Sequence, residues 1–364
     1  MSALFEPLTL RSLTIPNRIW LSPMCMYSAA AEGPETGVAT DFHLAHLGSR
    51  AAGGAGLVMV EATGVNPEGR ISPWDLGLWN DRQQEGLARV AALISQHGAV
   101  PAIQLAHAGR KAATDKPGAG GAPLTAAQGA WQPVGPSPLA FSADHQVPAE
   151  LTEDQIASVV EDFAAAARRA LAAGFQVVEV HGAHGYLVHE FLSPVSNHRT
   201  DGYGGDFAGR SRLAREIATA VRAVWPADLP VLFRVSATDW LPDEPSWTVE
   251  ESVLLAKELQ AVGVDLIDVS TGGNVPHAKI TGGPGYQVPF AEQIRRESGL
   301  PVNAVGSITD ADQAEAIVAE GRADAVMLGR ELLRDPYWPL HAARELGVPR
   351  NWPAQYGFAV GPRG

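Results

Sequence analysis

Eight short apolar runs recur along the chain, spaced by amphipathic or loop-like sequence. They are RIWLSP (Arg18 to Pro23), GLVMVEA (Gly56 to Ala62), VPAIQLA (Val100 to Ala106), GFQVVEV (Gly174 to Val180), LPVLFRVS (Leu229 to Ser236), VDLIDVS (Val264 to Ser270), LPVNAVG (Leu300 to Gly306) and ADAVMLG (Ala323 to Gly329). Continuous rather than alternating apolar character is what parallel strands covered on both faces require. Helical periodicity fills the gaps. LTEDQIASVVEDFAAAARRALAAG carries Thr152 as its N-cap, TVEESVLLAKELQAVG opens at Thr248, and ITDADQAEAIVAEG closes on Gly321 as a C′ glycine. Strand and helix alternating in this way predict an α/β fold, a (β/α)8 TIM barrel. No G-x-G-x-x-G follows the first strand, which argues against a doubly wound sheet. Before the first strand, LTLRSLTIPNRI alternates apolar and polar residues, as a small β-hairpin flooring one end of the barrel would. After the third strand, residues 112–150 are rich in Gly, Pro and Ala but hold Trp131 and Phe141. A connection of that length predicts a packed cap over the mouth.

Composition narrows the possibilities. At 364 residues and 46% hydrophobic, residues 1–364 are expected to form a single barrel domain, with 345–364 as a C-terminal tail. A net charge of −13 disfavours a nucleic-acid partner. No apolar run approaches a membrane span, and the first residues lack the pattern of a signal peptide, so a cytoplasmic protein is expected. Cys25 is the single cysteine, which excludes an internal disulfide and a four-cysteine cluster.

In a (β/α)8 barrel, active sites sit at the carboxyl ends of the strands. GFQVVEV is followed at once by His181, His184 and Tyr186, then by His189 and Glu190 in one expected helical turn. Such a concentration of proton donors and hydrogen-bond donors predicts chemistry there. Pro23, Met24, Cys25, Met26 and Tyr27 follow the first strand. Gln104 closes the third, where an amide can pair with donor and acceptor atoms of a heterocycle. Arg234 lies inside an apolar strand and needs either a buried carboxylate, such as Asp268 or Glu179, or an anionic ligand. Gly306-Ser307 and Gly329-Arg330 end the last two strands, the usual place of a barrel phosphate site. A flavin mononucleotide fits this inventory, and so does a phosphorylated substrate. A divalent metal held by His181 and His184, in a barrel hydrolase or aldolase, is the competing reading.

SPMCMYS, VEATGVNPEGRIS, IQLAHAGRK, EVHGAHGYLVHEFLSPVSNHRTDGYGG, DLIDVSTGG, AVGSITD and GRELLRDP together resemble the Old Yellow Enzyme family of flavin-dependent ene-reductases, in its bacterial thermophilic-like and xenobiotic-reductase branch. The resemblance implies noncovalent FMN, reduction by NADPH or NADH, and a small activated alkene as the second substrate. It implies that Pro23, Met24, Cys25 and Ala62 line the isoalloxazine and that Gln104 and Arg234 bond its pyrimidine edge. By the same resemblance, Gly306, Ser307, Gly329 and Arg330 take the phosphate, and Lys111 lies near the cofactor tail. His181 and His184, with Tyr27 nearby, would hold the substrate oxygen, and Tyr186 would supply the proton. Homo-dimers or homo-tetramers are implied as well. In part of this branch an arginine follows a Gln-Tyr pair in the tail and enters the neighbouring subunit. Here Gln355-Tyr356 is followed by Gly357-Phe358, so that arginine is missing.

Overall fold

The computed structural model describes residues 2–360, so Met1 and the last four residues of the expected domain and tail lie outside it. A hairpin of β1 (Leu8–Leu10) and β2 (Leu13–Ile15) comes first, followed by β3 (Ile19–Leu21), β4 (Leu57–Gly64) and β5 (Val100–Ala106). Two-residue strands β6 (Val134–Gly135) and β7 (Ala149–Glu150) pair within the long connection. The chain continues with β8 (Val177–Gly182), β9 (Val231–Ser236), β10 (Leu266–Ser270), β11 (Val302–Ala304) and β12 (Ala325–Leu328). β3, β4, β5 and β8 to β12 pair in parallel in chain order, and β12 returns to β3, so the barrel of eight closes. Each expected run overlaps its strand, with ends moved by a few residues, and β4 and β8 extend two residues past theirs.

One moved end has a consequence. The expected strand stopped at Val180, but pairing with β9 continues through His181↔Arg234 and Gly182↔Val235. Gly182 permits this, because a Cβ there would lie 2.2 Å from the Phe233 ring. His181 is therefore held by the sheet and not by a loop.

The principal helices are α1 (Asp41–Ala52), α2 (Asp81–Gln96), α3 (Glu153–Ala172), α4 (Leu187–Leu192), α5 (Phe207–Arg210), α6 (Arg212–Val224), α7 (Val249–Ala261), α8 (Val288–Ser298) and α9 (Ala311–Ala319). Thr152 and Thr248 cap α3 and α7 by accepting the Gln155 and Glu251 N–H groups, and Gly321 follows α9 with φ 72°.

The barrel interior is divided by polarity. Trp20, Leu57, Met59, Ala102, Val177, Leu232, Leu266 and Met327 fill its lower part, plugged by Leu10 and Ile15 of the hairpin. Arg11 fastens that plug. Its Nε lies 2.6 Å from Asp265 Oδ1, and its other nitrogens donate to the carbonyls of Ala227 and Gly263. Above this floor the interior turns polar.

Ile15 is fully buried in the plug. Ile15→Ala is expected to cost about 2–5 kcal/mol in urea unfolding while leaving the visible spectrum of the holoenzyme unchanged, since the mouth is at the other end. A cost below about 1 kcal/mol would show that the hairpin is not part of the cooperative core.

Candidate active site

Strand register builds the polar layer. Gln104 stands opposite Glu179, His181 opposite Arg234, Arg234 opposite Asp268, and Asp268 opposite Asn303. All six side chains are buried. Arg234 Nε lies 3.0 Å from Asp268 Oδ2, so the internal ion pair expected as one alternative is present. Gln104 Nε2 donates to Glu179 Oε1 at 2.8 Å. Burial, and then the charge of Asp268, push the Glu179 carboxyl well above its ordinary range. It keeps its proton, leaving Asp268 to balance Arg234.

A cleft of ≈ 460 Å³ opens over this layer, lined among others by Pro23, Met24, His184, Arg234, Ser270 and Gln287. At its far end stand Gly306, Ser307, Gly329 and Arg330, the four residues expected to hold a phosphate. Gly306 (φ 120°) and Ser307 (φ 52°) are both in left-handed backbone, the kind of turn from which anion-binding concavities are built. Arg330 Nη2 approaches Ser307 Oγ at 3.4 Å. Gly329 is less constrained: a Cβ there would lie 3.3 Å from Met24 Sδ.

The remaining expected residues gather beside the cleft. Cys25, Tyr27, Trp131 and Tyr186 pack on buried Ile71, Ala108 and Ala112. His181 joins the two groups, with ring centroids 5.1 Å from both His184 and Tyr186. Ala62 is buried in β4, and Gln104 lies beneath the cleft, paired with Glu179. Among the described residues, neither the Tyr27 nor the Tyr186 hydroxyl bonds to protein. Burial, then Cys25 and Tyr27 nearby, raise Tyr186 well above 10, so it is a protonated phenol at neutral pH. Burial, then Arg234, hold His181 and His184 well below 6.5, so both imidazoles are neutral. Burial, then Asp75 and Glu61, raise the Cys25 thiol, which suits a neutral packing group and not a nucleophile.

Lys111 lies with Tyr186 and His184. Its Nζ donates to the carbonyls of His184 (2.8 Å) and Gly273 (3.0 Å) and sits 4.9 Å from the Tyr186 ring centre. Burial lowers it to about 8. His184 has φ 61°, a strained conformation for a side-chain-bearing residue. Its N–H is held by Ser236 Oγ at 2.9 Å and its carbonyl by Lys111, so both backbone groups are pinned.

Sequence reasoning missed several residues. Ser236, Ser270 and Gln287 bond around His184, but serines at strand ends and a loop glutamine carry no distinguishing sequence signal. Glu61 accepts the Met26 N–H at 3.0 Å and so shapes the turn into Tyr27. Like Asp268 and Glu179, it is a charge inside an apolar run, the same signal that singled out Arg234. The cap meets the barrel through Trp131. Its Nε1 donates to the Glu68 carbonyl, and Arg70 lies 5.0 Å from its ring and 5.5 Å from that of Trp79.

A family model described as NADH:flavin oxidoreductase / NADH oxidase matches residues 3–348. The chain belongs to that family. An NADPH dehydrogenase of Geobacillus thermodenitrificans (strain NG80-2) is 49% identical over 355 residues, 98% of each protein. A solved 2-naphthoyl-CoA reductase in complex with 2-naphthoyl-CoA superposes with a TM-score of 0.84 at 27% identity, over 95% of this chain but 52% of that longer one. Morphinone reductase in complex with tetrahydroNAD gives 0.77 at 30% identity, over 98% of this chain and 93% of the other. The chain is thus an FMN oxidoreductase of the Old Yellow Enzyme type. Its residues fit FMN: the Gly306-Ser307 and Gly329-Arg330 turns suit a phosphate, and the buried Arg234 in the same cleft suits an electron-rich ring edge. Among the described residues no group of three or more His, Cys, Asp or Glu could hold a metal, so the hydrolase or aldolase reading has no support.

Lys111→Met is expected to loosen His184 and weaken binding of a phenol at the mouth about tenfold, with the flavin spectrum retained. That is the loss of one hydrogen bond to a charged group. Unchanged affinity would remove the clamp. The Lys111 pKa is lower in the folded state than in the unfolded chain, so between about 8 and 10.5 the unfolded chain holds a proton that the native state has lost. Wild type should therefore gain stability relative to Lys111→Met as pH rises through that window. A constant difference in denaturant midpoint would contradict the burial of this charge.

Proposed function

We propose that this chain is an NADPH- or NADH-dependent ene-reductase acting on the activated C=C bond of α,β-unsaturated carbonyl compounds, with maleimides, nitroalkenes and nitrate esters within reach of the same donors. The observation that carries the reading is the neutral His181/His184 pair clustered with Tyr186 at the mouth of a flavin-family barrel. Names of relatives support it: one is an NADPH dehydrogenase, and another is a reductase of morphinone.

Bound FMN would supply hydride transfer, from reduced nicotinamide through its N5 atom to the β-carbon of the alkene. Pro23, Met24, Cys25 and Ala62 line its ring in this reading, Gln104 and Arg234 serve its polar edge, and Gly306, Ser307, Gly329 and Arg330 hold its phosphate. Two imidazole N–H groups aimed at one carbonyl oxygen stabilise the enolate charge that develops as hydride arrives, each worth about 2.7–4 kcal/mol by analogy with oxyanion donors. Their low pKa values are useful, since a neutral imidazole donates a hydrogen bond without releasing a proton to the oxygen. Tyr186, kept protonated by burial, protonates the α-carbon in this reading. The Lys111 ammonium beside its ring favours the phenolate left behind. Tyr27 borders the same space and contacts the substrate. The Trp131 and Phe141 region of residues 112–150 excludes water from above.

Tyr186→Phe should slow reoxidation by cyclohexenone about 10²–10⁴-fold, a general-acid contribution, while reduction by NADPH stays near the wild-type rate. Anaerobic stopped-flow separates the two half-reactions, and equal losses in both would remove Tyr186 as proton donor. Cys25→Ala should shift the flavin midpoint potential and retain turnover. Complete inactivity would point to a covalent role for the thiol.

A further inference from the structure

The two histidines do not both face a ligand as they stand, and the reason lies one residue behind them. The Ala183 N–H donates to His181 Nδ1 at 3.2 Å, so in this neutral ring the proton is on Nε2. His181 Nε2 lies 3.4 Å from His184 Nδ1. Two N–H groups facing each other at that distance would repel, so Nδ1 of His184 presents a lone pair and its proton is on Nε2. That Nε2 lies 2.7 Å from Ser270 Oγ. Ser270 in turn reaches Gln287 Oε1 at 3.3 Å. Gln287 has no freedom to turn over: its Nε2 donates to the Val305 carbonyl at 3.0 Å, and its Oε1 accepts the Thr271 hydroxyl at 2.7 Å. The hydroxyl hydrogen of Ser270 therefore has two possible acceptors, the fixed Gln287 oxygen and His184 Nε2. Ser270 is buried in this wall, 5% exposed, so bulk solvent does not compete freely for it.

We propose that Ser270 sets the tautomer of His184, and that a ligand oxygen at the mouth is accepted by a change of that tautomer. Without ligand, His184 Nε2–H donates to Ser270, Ser270 donates to Gln287, and His181 Nε2–H closes on His184 Nδ1. With ligand, the Ser270 hydroxyl rotates about its Cβ–Oγ bond and donates to His184 Nε2. His184 then carries its proton on Nδ1, and both rings donate to the same oxygen. One proton leaves Nε2 and one is added at Nδ1, both exchanged with water, so no net charge is created. Ser270 is a positioning residue here, and the inference rests on the reading of the mouth as an oxygen-binding site.

Nitrogen-15 NMR of the histidine-labelled FMN holoenzyme reads the tautomer directly, with His184→Asn used to assign the signals. On adding 4-hydroxybenzaldehyde as the oxygen ligand, the unprotonated nitrogen of His184 is expected to move from Nδ1 to Nε2. Ser270→Ala should bind this phenol about tenfold more weakly, the loss of about one hydrogen bond, and should keep the proton on Nε2 in both states. Ser270→Thr, which retains the hydroxyl, should restore affinity and tautomer change together. The same His184 tautomer with and without phenol in wild type would overturn the proposal, and so would wild-type affinity in Ser270→Ala. Absence of any phenol binding to wild type would instead sink the oxygen-binding reading, and this proposal with it.

Discussion

The ion pair between Arg234 and Asp268, 3.0 Å apart inside the barrel, is the interaction on which the mouth depends. A guanidinium in a closed barrel is tolerable only with a carboxylate beside it, because removing one partner leaves an uncompensated buried charge costing about 3–5 kcal/mol. Parallel register makes the pairing possible by setting the two residues opposite each other on adjacent strands. The consequences spread along the same layer. Glu179, beside a carboxylate already committed to Arg234, retains its proton and anchors Gln104. Burial first, and then the guanidinium of the pair, lower the basicity of both histidines. The ion pair thus adds to what burial does to three neighbours.

Much of this was legible in the chain. The barrel followed from eight apolar runs with helices between them, and the polar layer from Arg234, a charge that such a run has no reason to contain unless it is paired. That Gly306-Ser307 and Gly329-Arg330 would meet at the mouth followed from position alone, since they end the last two strands. The bonds around His184 were not legible. Ser236, Ser270 and Gln287 matter through distances of about one hydrogen bond, set by how three strand ends converge, and no pattern in sequence encodes that convergence. Lys111 illustrates the same limit. The resemblance put it near the cofactor tail, but that its Nζ bonds the His184 and Gly273 carbonyls beside the Tyr186 ring depends on the folded loop after β5. The end of β8 was misplaced for a different reason, since extension through His181 depends on pairing with β9 and on the small size of Gly182.

The division of the interior into an apolar floor and a polar mouth separates two tasks. The hairpin plug of Leu10 and Ile15 contributes burial and does not line the cleft. The mouth contributes donors and charges, whose desolvation opposes folding. A protein arranged this way can vary its rim loops while the lower half goes on supplying the stability.

Among the described residues, six that are not glycine adopt left-handed backbone: Arg11, Tyr27, Ala113, His184, Trp240 and Ser307. Arg11 is in the floor hairpin, and the other five stand on loops that follow barrel strands at the mouth. Each such conformation stores on the order of 1–3 kcal/mol. These five addresses are where selection for thermal endurance and selection for turnover pull against each other. Glycine there would relax the backbone, and in doing so would release the side chains that the mouth is shaped to present.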